Sequence, residues 1–219
     1  NIEGRGIHKK NPIFDLKKKK VDILVNLSAS PYTFKKLELR SKVSSFAAKY
    51  LQVPLIYVNQ IGANDNLIFD GNSFILDKNG SKIKQLKSFS EDLSSWHIEQ
   101  TIPEKKEFEQ SEISSIFDAL VLGVRDYAQK CGFKTALIGL SGGIDSALVS
   151  AIATAALGSN NIYCVSMPSK WSSSHSKSDA KDLARRLKIN FNSIPIENLM
   201  NSFEESFIKT ISFEMAEIT

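Results

Sequence analysis

Residues 137–147 read Leu137-Ile138-Gly139-Leu140-Ser141-Gly142-Gly143-Ile144-Asp145-Ser146-Ala147. An apolar run meets a double glycine and then opens an alanine-rich segment. Few folds accept that order. A buried strand must turn sharply into a helix that packs closely on the same sheet, with no Cβ in the way at the turn. Strands at 135–140, 162–167 and 191–195 alternate with helices at 144–157 and 176–187. Such alternation predicts right-handed crossovers and a parallel sheet with helices on both sides. Ligands of these sheets sit at the carboxyl ends of the strands, where the double glycine falls. Consecutive N–H groups beside a helix N-terminus make an anion nest there. Ser141 and Ser146 can donate hydroxyl hydrogens, and Asp145 is placed to hold a metal against a pyrophosphate. No Gly-Lys-Ser/Thr follows, so this is not a Walker loop. Ser-Gly-Gly alone also fits an ordinary strand-to-helix turn; the full motif in its context favours a nucleotide.

The segment Met167-Pro168-Ser169-Lys170-Trp171-Ser172-Ser173-Ser174-His175-Ser176-Lys177-Ser178-Asp179-Ala180 leaves the next strand at the same end of the sheet. Its plain role is a connecting loop with Ser176 or Ser178 capping the following helix. It should also face the crevice beside the glycine turn, where Ser169, Ser172, Ser173, Ser176 and Asp179 could hold substrate phosphates. Asp179 also fits as an acid favoured by the helix dipole.

The first half is also α/β. Val21 to Leu27 reads as a strand, Phe34 to Leu51 as a helix with Leu37, Val43, Phe46, Ala47 and Tyr50 in its stripe, and Pro54 to Asn59 as a strand. Asn64 to Leu86 reads as strands broken by turns, with a hairpin signal at Asn79-Gly80. Periodicity then lapses over 88–111, a polar stretch with Pro103 and the charged cluster Glu104-Lys105-Lys106-Glu107. It returns with Ile113, Ile116, Phe117, Leu120, Val121, Val124, Tyr127 and Ala128 on one helical face. The expected organisation is a domain at 1–87, a linker at 88–111 and a second domain at 112–219. A last helix starts near Glu197 with Leu199, Met200, Phe203 and Phe207 as its core face.

The 42% hydrophobic and 24% charged composition is that of an ordinary globular chain. A net charge of +4 suits anionic small molecules and does not demand nucleic acid. The four lysines at 17–20 read as a solvated loop. Cys131 and Cys164 lack metal-ligand spacing and suit a reduced, cytoplasmic setting. No apolar run approaches membrane-spanning length, and the first residues carry no signal-peptide pattern.

Ser-Gly-Gly-x-Asp-Ser resembles the signature of the PP-loop ATP pyrophosphatases, which adenylate an oxygen and release pyrophosphate. Together with the 167–180 loop and the helix around Ala119 to Tyr127, it resembles glutamine-dependent NAD synthetase. That family joins a nitrilase-like glutaminase to a PP-loop synthetase. Asn26-Leu27-Ser28-Ala29-Ser30-Pro31-Tyr32 and Asp65 to Ser73 resemble segments of the glutaminase. The resemblance implies the C-terminal part of a nitrilase-like α/β sandwich, then a doubly wound parallel-sheet domain of the adenine nucleotide alpha hydrolase type, both incomplete. It implies ATP and Mg2+, with Gly139, Leu140, Ser141, Gly142, Gly143, Ile144, Asp145 and Ser146 at the ATP and Asp145 on the metal. It implies Ser30 and Lys36 at glutamine, whose carboxylate and amide suit a hydroxyl and an ammonium. The substrate would be nicotinic acid adenine dinucleotide, with nitrogen from glutamine or free ammonia, in a cytoplasmic homo-oligomer that binds neither nucleic acid nor membrane.

One departure stands out. The nitrilase-type glutamate, lysine and cysteine have no counterparts here: both cysteines fall in the second domain, so the catalytic residues are expected upstream of Asn1. The family's later synthetase elements are expected after Thr219, making this chain an internal fragment that is itself inactive. Two alternatives stay open: another PP-loop amidotransferase, and a non-catalytic adenine-nucleotide-binding module.

Overall fold

The computed structural model describes residues 11–99 and 111–210. The chain divides into two units, Asn1–Tyr127 and Ala128–Thr219. The first opens with a helix the sequence reading missed, α1 (Pro12–Lys18). Pro12 presets its first turn, and the Asn11 side chain accepts from the Ile13 N–H at 3.0 Å. Lys17 and Lys18, expected in a loop, close its last turn, where cations suit the helix dipole.

Strand β1 (Leu24–Ser28) pairs in parallel with β2 (Leu55–Asn59), joined by helix α2 (Lys36–Leu51). Strands β5 (Phe74–Leu76) and β6 (Lys82–Gln85) extend the sheet antiparallel, giving the order β1-β2-β5-β6. The expected Asn79-Gly80 turn joins the last two. There Asp77 accepts from the N–H groups of Asn79 and Ser81, and Gly80 takes a left-handed φ of +74°. Ala47 and Ala48 of α2 lie against Leu55, Tyr57, Phe74 and Leu76. Small residues on the helix leave room for the cross-strand pair Tyr57–Phe74, stacked at 4.9 Å. β3 (Ile61–Asn64) and β4 (Leu67–Asp70) form a separate hairpin.

Helix α3 (Glu112–Cys131) packs Ala119 and Leu122 with Phe89, Tyr32, Ile61 and Ile68. The Asp126 carboxylate accepts from the Ala63 N–H at 2.7 Å. Of the face expected to be apolar, Val121 and Ala128 are buried, while Ile113, Ile116, Leu120, Val124 and Tyr127 are exposed. Within the expected linker, 88–99 has no helix or strand, and Phe89 is buried. Pro103 and the 104–107 charges lie outside the described residues.

In the second unit β7 (Ala136–Gly139), β8 (Ile162–Ser166) and β9 (Asn190–Ser193) form a parallel sheet in that order. Helices α4 (Ile144–Leu157) and α5 (Ser174–Leu187) make the two crossovers. Ala153, Leu157, Ala180 and Ala184 pack with Ile138, Leu140, Ile162 and Cys164. Both crossover helices therefore cover the same face, as consecutive right-handed crossovers in one direction require. Leu137 and Tyr163, on the alternate positions, are exposed. Helix α6 (Glu197–Thr210) follows; Leu199, Phe203 and Phe207, expected as its core face, are exposed.

Candidate functional site

β7 delivers the glycine turn. Gly139 ends the strand, and Leu140 is buried, its N–H donating to Val165 O at 2.9 Å. Gly142 then takes a φ of +90°, and Gly143 caps α4 without offering a side chain to the first-turn N–H groups. That leaves the helix start suited to an outside acceptor. The hydroxyls form a directed chain. Ser146 Oγ donates to Gly143 O at 3.0 Å, so its contact with Ser141 Oγ, also 3.0 Å, is a donation from Ser141. Ser146 Oγ further accepts from the Ser141 N–H at 3.3 Å, and Ser141 Oγ from the Gly143 N–H at 3.2 Å. Ile144 and Asp145 are exposed in the first turn of α4.

The serine-rich loop arrives as a second helix start. Ser173 caps α5, its Oγ accepting from the Ser176 N–H at 3.0 Å. A Cβ on Gly142 would lie 2.2 Å from Ser176 O, so the first turn of α5 is stacked on the glycine turn. Ser176 is thus the loop residue that reaches the turn through its backbone. Ser169 and Ser172 instead close a turn of their own, the Ser169 N–H donating to Ser172 Oγ at 3.0 Å. α5 starts two residues earlier than its periodicity suggests, because Ser173 caps it. Asp179 consequently lies beyond the first turn, exposed.

Among the described residues no group of three or more His, Cys, Asp or Glu side chains could hold a metal. The donor set here is a single exposed carboxylate, Asp145. That fits Mg2+, which keeps waters and takes one or two carboxylates alongside substrate phosphates.

In the first unit, Ser30 follows the end of β1. Its N–H donates to Asn59 Oδ1 at 2.9 Å, and Asn59 Nδ2 donates back to Ser30 O at 3.2 Å. Arg40, from the second turn of α2, donates to Ser30 Oγ, Ser30 O and Pro31 O, and to both oxygens of Asp70. Asn72 Nδ2 donates to Asp70 Oδ2 at 2.9 Å. Lys36, half-buried, is the first residue of α2. Sequence reasoning singled out Ser30 and Lys36 and did not single out Arg40, Asn59 and Asp70, which the structure gathers with Ser30. The available signal was Asp70-Gly71, which reads as a turn.

A carbon-nitrogen hydrolase family model matches residues 6–106, and an NAD synthase model matches residues 116–218. A glutamine-dependent NAD(+) synthetase from Synechocystis is 45% identical over 210 residues, covering 94% of this chain and 38% of that protein. The chain belongs to the glutamine-dependent NAD synthetase family. Its Acinetobacter baylyi relative is 40% identical over 200 residues, covering 90% of this chain and 37% of that one. The solved glutamine-dependent NAD+ synthetase of Acinetobacter baumannii, in complex with ADP, superposes with a TM-score of 0.85 at 35% identity. That match covers 94% of this chain and 40% of the solved one. The chain thus spans well under half the length of these NAD synthetases. The NAD synthase match begins within α3, although the first sixteen residues of that helix belong to the first unit. Among the described residues no helix is long and apolar enough to cross a membrane.

Proposed function

We propose that this chain works within a glutamine-dependent NAD synthetase that amidates nicotinic acid adenine dinucleotide at the expense of ATP. The observation that carries the reading is the glycine turn at the carboxyl end of β7, with the starts of α4 and α5 both against it. The nicotinate carboxylate oxygen attacks the α-phosphorus of ATP, and the bond to the β-phosphate bridging oxygen breaks. Ammonia then attacks the acyl carbon, AMP departs, and the amide nitrogen loses a proton to solvent. The N–H groups of the turn, Ser141 and Ser146 hold the departing pyrophosphate, and Leu140 fixes the turn to the sheet. Gly139, Gly142, Gly143 and Ile144 give the phosphates a backbone wall. Positioning and charge neutralisation are where such a transfer gains most. Asp145 would hold Mg2+, which neutralises phosphate charge when bound. Ser169, Ser172, Ser173, Ser176 and Asp179 border the substrate side.

In the first unit Ser30 and Lys36 bind glutamine, the source of the ammonia. We assign 1–87 to the glutaminase, 88–111 to the linker and 112–219 to the synthetase. A cytoplasmic homo-oligomer belongs to the same reading and rests on the family likeness. The test is to incubate the whole protein with ATP, magnesium, nicotinic acid adenine dinucleotide and either glutamine or ammonium. NAD, AMP and pyrophosphate in equal amounts are expected. ATP binding without NAD formation would favour a nucleotide-binding module instead.

A further inference from the structure

We infer that Arg40 is a positioning residue for glutamine: it holds Ser30 in place and fixes the direction of its hydroxyl. The inference rests on the assignment of Ser30 to glutamine in the function proposed above. A guanidinium has five N–H donors, and here it makes five contacts with acceptors. Nη1 lies against both oxygens of the Asp70 carboxylate, at 2.8 and 2.9 Å. Nη2 gives two to main-chain oxygens, Ser30 at 2.7 Å and Pro31 at 3.1 Å, and Nε gives its one to Ser30 Oγ at 3.1 Å. Three of the five thus end on two consecutive residues beyond β1.

Arg40 is 5% exposed and Asp70 1% exposed. Burying such a pair carries a desolvation cost for each ion, and apolar side chains of similar volume often serve stability as well. Holding α2 on the sheet does not need this arrangement, since Ala47, Ala48 and Leu37 already pack there. What the fork adds is direction. Ser30 Oγ accepts from Nε, so its own hydrogen is turned outward as a donor. That is the polarity that a carboxylate or amide oxygen requires. Asn59 completes the clamp by holding the Ser30 N–H and C=O through one amide. Asp70 acts through Arg40: it orients the guanidinium, and Asn72 donates to Asp70 Oδ2.

The test compares Arg40→Lys with Leu76→Ala in the whole protein, reading glutamine-dependent and ammonia-dependent NAD synthesis and thermal melting. Lysine keeps the charge beside Asp70 but cannot fork onto Ser30 and Pro31. Arg40→Lys is expected to raise the KM for glutamine about tenfold, the scale of a lost charged hydrogen bond. The ammonia-dependent rate should stay unchanged. Leu76→Ala empties a buried position packed with Ala47, Ala48, Leu55 and Phe74, in register with Leu24 at the start of β1 and so away from Ser30. It should lower the melting temperature and leave KM alone. If Arg40→Lys yields no folded protein, Asp70→Glu carries the same expectation, because the longer acid pushes the fork off Ser30. A glutamine KM unmoved in the folded variant would overturn the inference, as would a KM that tracks melting temperature across all variants. Failure of the unaltered protein to make NAD from either nitrogen source would overturn the function reading, and this inference with it.

Discussion

Gly142 meets two independent demands at one residue. Its φ is +90°, and a Cβ would stand 2.2 Å from Ser176 O. Gly142→Ala must therefore shift α5 as well as strain the turn. Backbone strain of this type costs about 1–3 kcal/mol. Urea unfolding of the variant should show a loss of at least that size, and an ATP titration should show weakened binding. The two cysteines make a contrasting pair. Cys131 is exposed; Cys164 is buried, and burial pushes its thiol above the usual value, partly offset by its contact with Ser150. Alkylation at neutral pH should label Cys131 and spare Cys164 until the protein unfolds. A raised thiol pKa stabilises the fold below the unfolded value of 9.0 and ceases to do so as pH rises through the folded one. The contribution of Cys164 to stability is thus expected to fade above about pH 9, read by denaturant midpoints across that range.

Among the elements, the β2–β5 pairing is the centre of the first unit. Phe74 is fully buried and stacks on Tyr57 across the strands. Phe74→Ala should cost about 3–5 kcal/mol in urea unfolding, as large-to-small core changes do. Most element positions were legible because their signals are local. The strand–glycine–helix run, the alternation after it and the Asn79-Gly80 hairpin need only neighbours in sequence. α1 was not legible, because its signal is one cap before a short, charged heptapeptide that opens with proline. The Arg40–Asp70 pair was not legible for a different reason. Its partners stand 30 positions apart, and a charged residue within a helix reads as solvated until the sheet is placed beneath it. At the glycine turn the sequence located Ser141, Gly142, Gly143 and Ser146. It did not show that Ser169 and Ser172 would spend their hydrogen bonds on each other.

At the scale of the whole molecule, the two sequence families and the two packed units do not divide at the same residue. The NAD synthase match starts at residue 116, whereas the units part after Tyr127. Ala119 and Leu122 of α3 are buried with Phe89. A polypeptide of residues 111–219 would keep the matched sequence and strip those side chains of their cover. Cutting there should raise binding of a hydrophobic dye per mole relative to the 219-residue chain, a difference read by fluorescence titration.

The directed hydroxyl chain in the glycine turn changes what occupancy means there. The Gly143 N–H already has an acceptor in Ser141 Oγ. An arriving phosphate oxygen does not fill a gap; it competes with an internal mimic. Binding becomes an exchange of partners, with little net gain in hydrogen-bond number. Ser141→Ala removes a donor to the ligand and also removes the competitor, so its two effects oppose. Ser146→Ala likewise frees one N–H, that of Ser141, but it also removes the donor that holds Gly143 O. Titration with ATP should therefore find the larger loss of affinity in Ser146→Ala, although Ser141 stands nearer the start of the motif.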